Sequence, residues 1–132
     1  MVKFSRRPSR ASWLGFTLIE LVVVLSIVAL LLTIAAPRYF KSVEKSKETV
    51  LKSNLAMTRD ALDKFYGDNG RYPDSLDELI QKKYLRKLPN DPLVDDSTSW
   101  ILVPPRSAEG AVGDIFSSAE GNASDGTPFR NW

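Results

Sequence analysis

The chain has 132 residues, 18 of them basic and 16 acidic, with no Cys and no His. Disulfides, thiol and imidazole nucleophiles, imidazole bases and His-rich metal sites are excluded, so any metal has to be a hard cation held by oxygen. Four of the basic residues (Lys3, Arg6, Arg7, Arg10) lie in the first fifteen positions, leaving 14 basic against 16 acidic side chains in the remainder, so the net charge of +2 is no footprint of nucleic-acid binding.

After this leader, which contains no acidic residue, positions 16–36 form a run of 21 residues with a single charge, Glu20. As a helix, a run of that length spans a bilayer core of about 30 Å. A carboxylate costs about 2.5–3.5 kcal/mol near the middle of such a span and less near its end. Glu20 is therefore either tolerated at the interface or held for a partner, and ionisable residues within a span default to function. A cleaved secretory signal, cut after Thr33-Ile34-Ala35, is disfavoured by the length of the run, by Glu20 inside it and by Pro37 just beyond the cut. Arg6-Arg7 alone does not make a twin-arginine signal ahead of so long a run. A plain single-pass anchor is the remaining alternative. The basic leader then stays in the cytoplasm and the C-terminal part lies outside.

Gly15-Phe16-Thr17-Leu18-Ile19-Glu20, followed by Leu21-Val22-Val23-Val24, resembles the type III signal of type IV pilins and type II secretion pseudopilins. The likeness covers about residues 10–45, with glycine, phenylalanine, glutamate and Pro37 all in register. It implies cleavage after Gly15 by a prepilin peptidase, methylation of the new N-terminus at Phe16, and Glu20 as the assembly glutamate of the mature chain. Physically, the Phe16 amine and a neighbouring subunit's Glu20 would each be costly unpaired in an apolar setting, and pairing them fixes the axial register between subunits.

Pro37 lacks an N–H and is expected to bend or loosen the helix without ending it. Beyond it, Val43, Val50, Leu51, Leu55, Ala61, Leu62 and Phe65 recur at helical spacing. Lys41, Glu44, Lys45, Lys52, Arg59 and Asp63 lie on the opposite face, with Glu48–Lys52 and Asp60–Lys64 as i,i+4 pairs, and the charge run Lys41 to Glu48 reads as a solvated face. Gly67 is the expected stop. The reading is one helix from Phe16 to Tyr66, roughly 75 Å long at 1.5 Å per residue, apolar all round in its first half and amphipathic in its second. The expected divisions are a removed leader (1–15), a membrane and assembly helix (16–37) and an outer domain (38–132).

In the remainder, Asp68-Asn69-Gly70 reads as a turn and Arg71-Tyr72-Pro73 as extended. Ser75-Leu76-Asp77-Glu78 has the form of a capping box opening a short helix to about Lys82 that buries Leu76, Leu79 and Ile80. Trp100–Val103 and Ala111–Phe116 are strands, with a third short piece ending at Trp132; Val112 and Ile115 face the core, and Trp100 and Trp132 read as core aromatics rather than binding ones. The fold class is α+β, a long N-terminal helix packed on a small antiparallel sheet. It is pilin-like by resemblance. The order Tyr72-Pro73, capped helix, Leu88-Pro89, Asp91-Pro92 is similar to the major pseudopilin of type II secretion.

That resemblance also implies a calcium-binding acidic loop within residues 117–127. Its matching carboxylates are Glu120 and Asp125, with Ser118 and Asp114 as lesser donors, although the loop is shorter and less acidic than the family's; the alternative is a solvated connection. The function implied is a structural subunit, not an enzyme. It sits in the bacterial inner membrane with its domain in the periplasm, and is extracted with the help of an inner-membrane platform protein into a homo-oligomeric filament with other pseudopilins. A type IV pilus major or minor pilin is the alternative within the family, and the absence of cysteine leans against it. A bitopic scaffold or sensor is the alternative outside it.

Overall fold

A computed structural model of the chain describes residues 1–2 and 14–132. The basic side chains Lys3, Arg6, Arg7 and Arg10, and with them most of the expected leader, lie outside the described residues. The element order is a long helix α1 (Leu18–Asn69), a short helix α2 (Leu76–Gln81), strands β1 (Ile101–Val103) and β2 (Asp114–Phe116), and a 3₁₀ turn at Phe129–Asn131. The chain forms two compact units, Met1–Tyr39 and Phe40–Trp132.

In the first unit the apolar run is helical and uncovered. Its most apolar eighteen-residue window has a mean hydropathy of 2.9, with none of it buried within the chain. The helix starts where the side chains can cap it. Thr17 Oγ1 accepts from the Glu20 N–H at 3.2 Å, and Glu20 Oε2 accepts from the Thr17 N–H at 3.5 Å. This is a capping box, and Thr-x-x-Glu at 17–20 is its sequence signature. Further along, the Ser26 and Thr33 hydroxyls donate to the carbonyls of Val22 and Ala29 one turn back, which satisfies them without a partner from outside the helix. Pro37 lies inside α1.

In the second unit α1 contributes Leu51, Leu55, Thr58, Ala61, Leu62 and Phe65 to the interior. These spacings of three and four define one stripe. The Thr58 hydroxyl is satisfied by the Asn54 carbonyl. Val50, expected on the stripe, is 48% exposed. Against the stripe pack Leu76 and Leu79 of α2, Leu85, Trp100, Val112, Ile115, Ala123 and Phe129, with Trp132 partly buried at the margin. The Trp100 indole N–H donates to the Pro89 carbonyl, so its polar atom costs nothing on burial.

The helix stop differs from expectation. Gly67 is helical, and α1 ends at Asn69 because Gly70 takes φ +70° and its N–H returns to the Tyr66 carbonyl. The sheet has two strands, paired antiparallel with Ile101 opposite Phe116 and Val103 opposite Asp114. The third piece is the 3₁₀ turn rather than a strand. At Gly110 (φ +118°) a Cβ would run into the Tyr72 carbonyl. Glycine there lets the Tyr72 N–H reach the Glu109 carbonyl and the Pro73 carbonyl accept from Ala111 and Val112.

The capping box expected at α2 does not form. Ser75 is the N-cap but its side chain makes no cap bond. Glu78 turns away, accepting from the Asp74 N–H at 2.8 Å and from Arg71 Nη2 at 2.6 Å. The guanidinium competes successfully because a charge-assisted bond outweighs a neutral cap bond. Arg71, with the Asp74 N–H, holds the Glu78 carboxyl below its ordinary range. A depressed folded-state pKa adds stability that is present above the unfolded carboxylate value and lost as pH falls through the folded one. We expect the melting temperature to fall more steeply between about pH 5 and 3 in the parent chain than in Glu78→Gln; parallel slopes would remove the pair as a source of stability. In the core, Phe65→Ala should cost about 3–5 kcal/mol in urea unfolding of the chain in detergent. Val50→Ala, at the exposed position, should cost less than about 0.5 kcal/mol.

Candidate functional site: the start of the long helix, and a clamped C-terminal loop

Two regions carry the residues singled out in the sequence. The first is the start of α1. Gly15 has open space around it, and Phe16 is 85% exposed. Both precede the first helical turn, so the Gly15–Phe16 bond lies in non-helical chain, the form a peptidase can accommodate. Glu20 is exposed in the first turn of α1. A carboxylate at this end also meets the positive end of the helix dipole. One residue thus has a local task, the cap, and a free carboxylate edge at the end of the chain where a new amine would appear on cleavage.

The second region is the segment from β2 to Trp132. The four residues expected around a calcium ion are not brought together. Asp114 Oδ1 accepts from Arg59 Nε at 2.7 Å, and that side chain lines a hollow with Tyr66, Tyr72 and Pro105. Ser118 and Glu120 line a different depression, which they share with Arg130. Asp125 lines a third, beside Lys52 and Arg59, and its Oδ1 is taken by the Thr127 N–H and hydroxyl at 2.9 and 2.6 Å. Those bonds hold the Asp125 carboxyl below its ordinary range, with Lys52 adding a smaller effect. Among the described residues no three acidic side chains lie close enough to hold a metal ion. Calcium wants six to eight oxygens, several of them carboxylate, and the carboxylates present do not fit that requirement.

Other side chains organise this segment. Arg59 Nη2 donates to the carbonyls of Ile115 (2.9 Å) and Trp132 (2.7 Å), while its Nε holds Asp114. Lys52 Nζ sits 4.2 Å from the centre of the Trp132 ring. Glu48 accepts from the Ser124 N–H and hydroxyl, both at 2.7 Å. Lys52 and Arg59 are expected on the face opposite the apolar one, and Glu48 in a pair with Lys52 on a solvated run. The structure instead turns all three to the C-terminal segment, whereas Asp60–Lys64 does form, at 2.7 Å. Spacings of four and seven put Glu48, Lys52 and Arg59 on one stripe beside Leu55, which is the signal available in the sequence. A second link was not foreseen. Asp91 is fully buried and accepts from the Ser117 hydroxyl at 2.5 Å and the Leu93 N–H at 2.9 Å, tying loop 90–96 to the end of β2.

Residues 14–36 match the model of the prokaryotic N-terminal methylation motif. The chain is 33% identical to the type II secretion system core protein G of Klebsiella michiganensis, over 93% of this chain and 95% of that one. The chain belongs to the core protein G family. The relative from Aeromonas hydrophila is 30% identical over 89% of this chain and 91% of its own length. The type IV major pilin protein PilA of Myxococcus xanthus is 38% identical, but over 49% of this chain and 30% of that protein. No solved structure matches significantly. As a core protein G family member, the chain pairs the methylation-motif helix with an α+β domain whose C-terminal segment is held by side chains of that same helix.

Replacing the guanidinium fork should expose what it holds. Arg59→Gln is expected to cost about 1–3 kcal/mol, since it strands two carbonyls and a carboxylate at a partly buried site. Arg59→Lys should recover only part of the loss, because an ammonium cannot serve three acceptors in one plane. Urea unfolding of the three proteins checks this, and a lysine variant as stable as the parent would reduce Arg59 to a mere positive charge.

Proposed function

We propose that this chain is a structural subunit of the type II secretion pseudopilus. The observation that carries the reading is the uncovered apolar half of α1, which bears the methylation motif and a single carboxylate at its start. The leader keeps the N-terminus in the cytoplasm, α1 anchors the precursor in the bacterial inner membrane, and residues 38–132 lie in the periplasm. Prepilin peptidase removes residues 1–15 and methylates Phe16. The new amine pairs with Glu20 of a neighbouring copy, and Pro37 eases the apolar half of α1 into the packed filament. Helices gain little by leaving lipid for one another, so extraction needs work from a cytoplasmic ATPase acting through an inner-membrane platform protein. The growing filament, made with other pseudopilins, drives folded proteins through an outer-membrane channel. The role is mechanical, not catalytic, in keeping with a chain that lacks His and Cys. A type IV pilus subunit is the second reading, carried by the similarity to PilA. Loss of exoprotein secretion with twitching and DNA uptake intact, on deletion of the gene, favours the pseudopilus; the reverse favours the pilus.

The cap and the charge of Glu20 are separable. Glutamine also completes a capping box but cannot neutralise an amine. Glu20→Gln and Glu20→Ala are both expected to insert in the membrane and to yield a mature chain beginning at N-methylated Phe16 by mass spectrometry, while filament assembly and secretion fail in both. Normal filaments from Glu20→Gln would mean that the carboxylate serves only as a helix cap.

A further inference from the structure

The segment from β2 to Trp132 is where the family resemblance implies calcium, and its donor set does not fit the ion. The candidate carboxylates open onto separate hollows, and each of those hollows includes an arginine: Arg106 with Asp114, Arg130 with Glu120, Arg59 with Asp125. Each hollow thus brings one carboxylate beside a cationic side chain and no second carboxylate, which is not the donor set a calcium ion needs.

The loop is closed without it. Residues 121–128 fold on themselves: Ala123 N–H reaches the Thr127 carbonyl at 2.8 Å, Gly126 N–H the Ala123 carbonyl at 2.9 Å, and Phe129 N–H the Gly121 carbonyl at 3.2 Å. The Trp132 indole N–H donates to the Thr127 hydroxyl at 2.8 Å. What remains is to fasten this loop to the domain, and here Glu48 reaches it from α1, taking both the backbone and the side-chain donor of Ser124. Two charge-assisted bonds from one carboxylate, spanning 76 positions of sequence, close a long segment of chain against the helix.

We propose that the Glu48 carboxylate fastens the C-terminal loop in place of a metal ion, so that this family member folds and keeps its stability independently of calcium. Glu48 is a positioning residue in this scheme: it sets the loop surface that the domain presents to its surroundings, and the anchor is built into the helix rather than supplied by the medium.

The test uses the full chain in detergent micelles, with thermal unfolding followed by near-ultraviolet circular dichroism. Calcium is added to about 5 mM, above the Kd of about 10⁻⁴–10⁻³ M usual for extracellular sites, and compared with excess chelator. The expected result is the same melting temperature, to about 1 °C, in both. A filled site of that affinity would raise it by about 5 °C or more, and such a rise overturns the proposal. Glu48→Ala is expected to melt about 4–8 °C lower, with no recovery on adding calcium. A Glu48→Ala chain as stable as the parent also overturns it. Should that variant give no folded signal, the calcium comparison on the parent chain still decides, and isothermal titration of calcium into the parent should show no saturable heat.

Discussion

The structure depends on a helix that the chain itself cannot cover. Fourteen large apolar side chains between Phe16 and Ile34 are exposed. Even at about 1 kcal/mol each, below the usual 1.5–3 for full burial, leaving them in water would cost as much as the whole net stability of a small domain, about 5–15 kcal/mol. The first half of α1 therefore needs lipid or other copies of itself. Glu20 is the one charged residue in the run, and it sits where its charge costs least, at the helix start, with a cap to make. The same placement leaves it at the end where processing would create an amine. In the proposed pseudopilus subunit, anchor, processing signal and assembly contact would all be compressed into the start of one element.

The second half of α1 solves a different problem. A domain of this size has little interior, and its core is a single stripe, Leu51 to Phe65, facing a short helix, two three-residue strands and a loop-rich tail. So little regular structure leaves the tail without a ladder to join. Polar side chains flanking the stripe take over that task, with Arg59 holding the tail at its two ends, Glu48 holding its middle at Ser124 and Lys52 lying over Trp132. Helix and tail are far apart in sequence, so these contacts close large loops, and the helix must form for the tail to have anything to hold.

The long helix, the short helix after Ser75 and the burial of Trp100, Val112 and Ile115 were legible because they follow from periodicity and burial, which are local in sequence. The Thr17–Glu20 box was legible too, and is easily overlooked when Glu20 is weighed only as a membrane charge. Gly67 against Gly70 could not be settled by pattern, since either glycine can end a helix, and the choice falls to the one whose φ turns positive. The faces of Lys52 and Arg59 were misjudged for a deeper reason. Periodicity tells which side of a helix is apolar, but a charged residue at the border of the stripe can face water or reach across to a partner. The partners here are a carboxylate and two backbone carbonyls for Arg59 and the Trp132 ring for Lys52, all more than fifty positions away. The same blindness applies to the acidic loop, where residue types suited to a cation are read from sequence while the arginines beside them are visible only in the fold.

In the proposed pseudopilus the apolar half of α1 is an assembly device with Glu20 as its internal counter-charge. Its most direct measurement is a high-resolution cryo-electron microscopy map of the filament formed when this chain is produced together with its secretion machinery. The expected map shows helices packed along the filament axis, with the amine of Phe16 within about 3 Å of a Glu20 carboxylate belonging to another copy. Filaments in which Glu20 meets no amine, or a chain that stays as dispersed single-pass protein under those conditions, would contradict it.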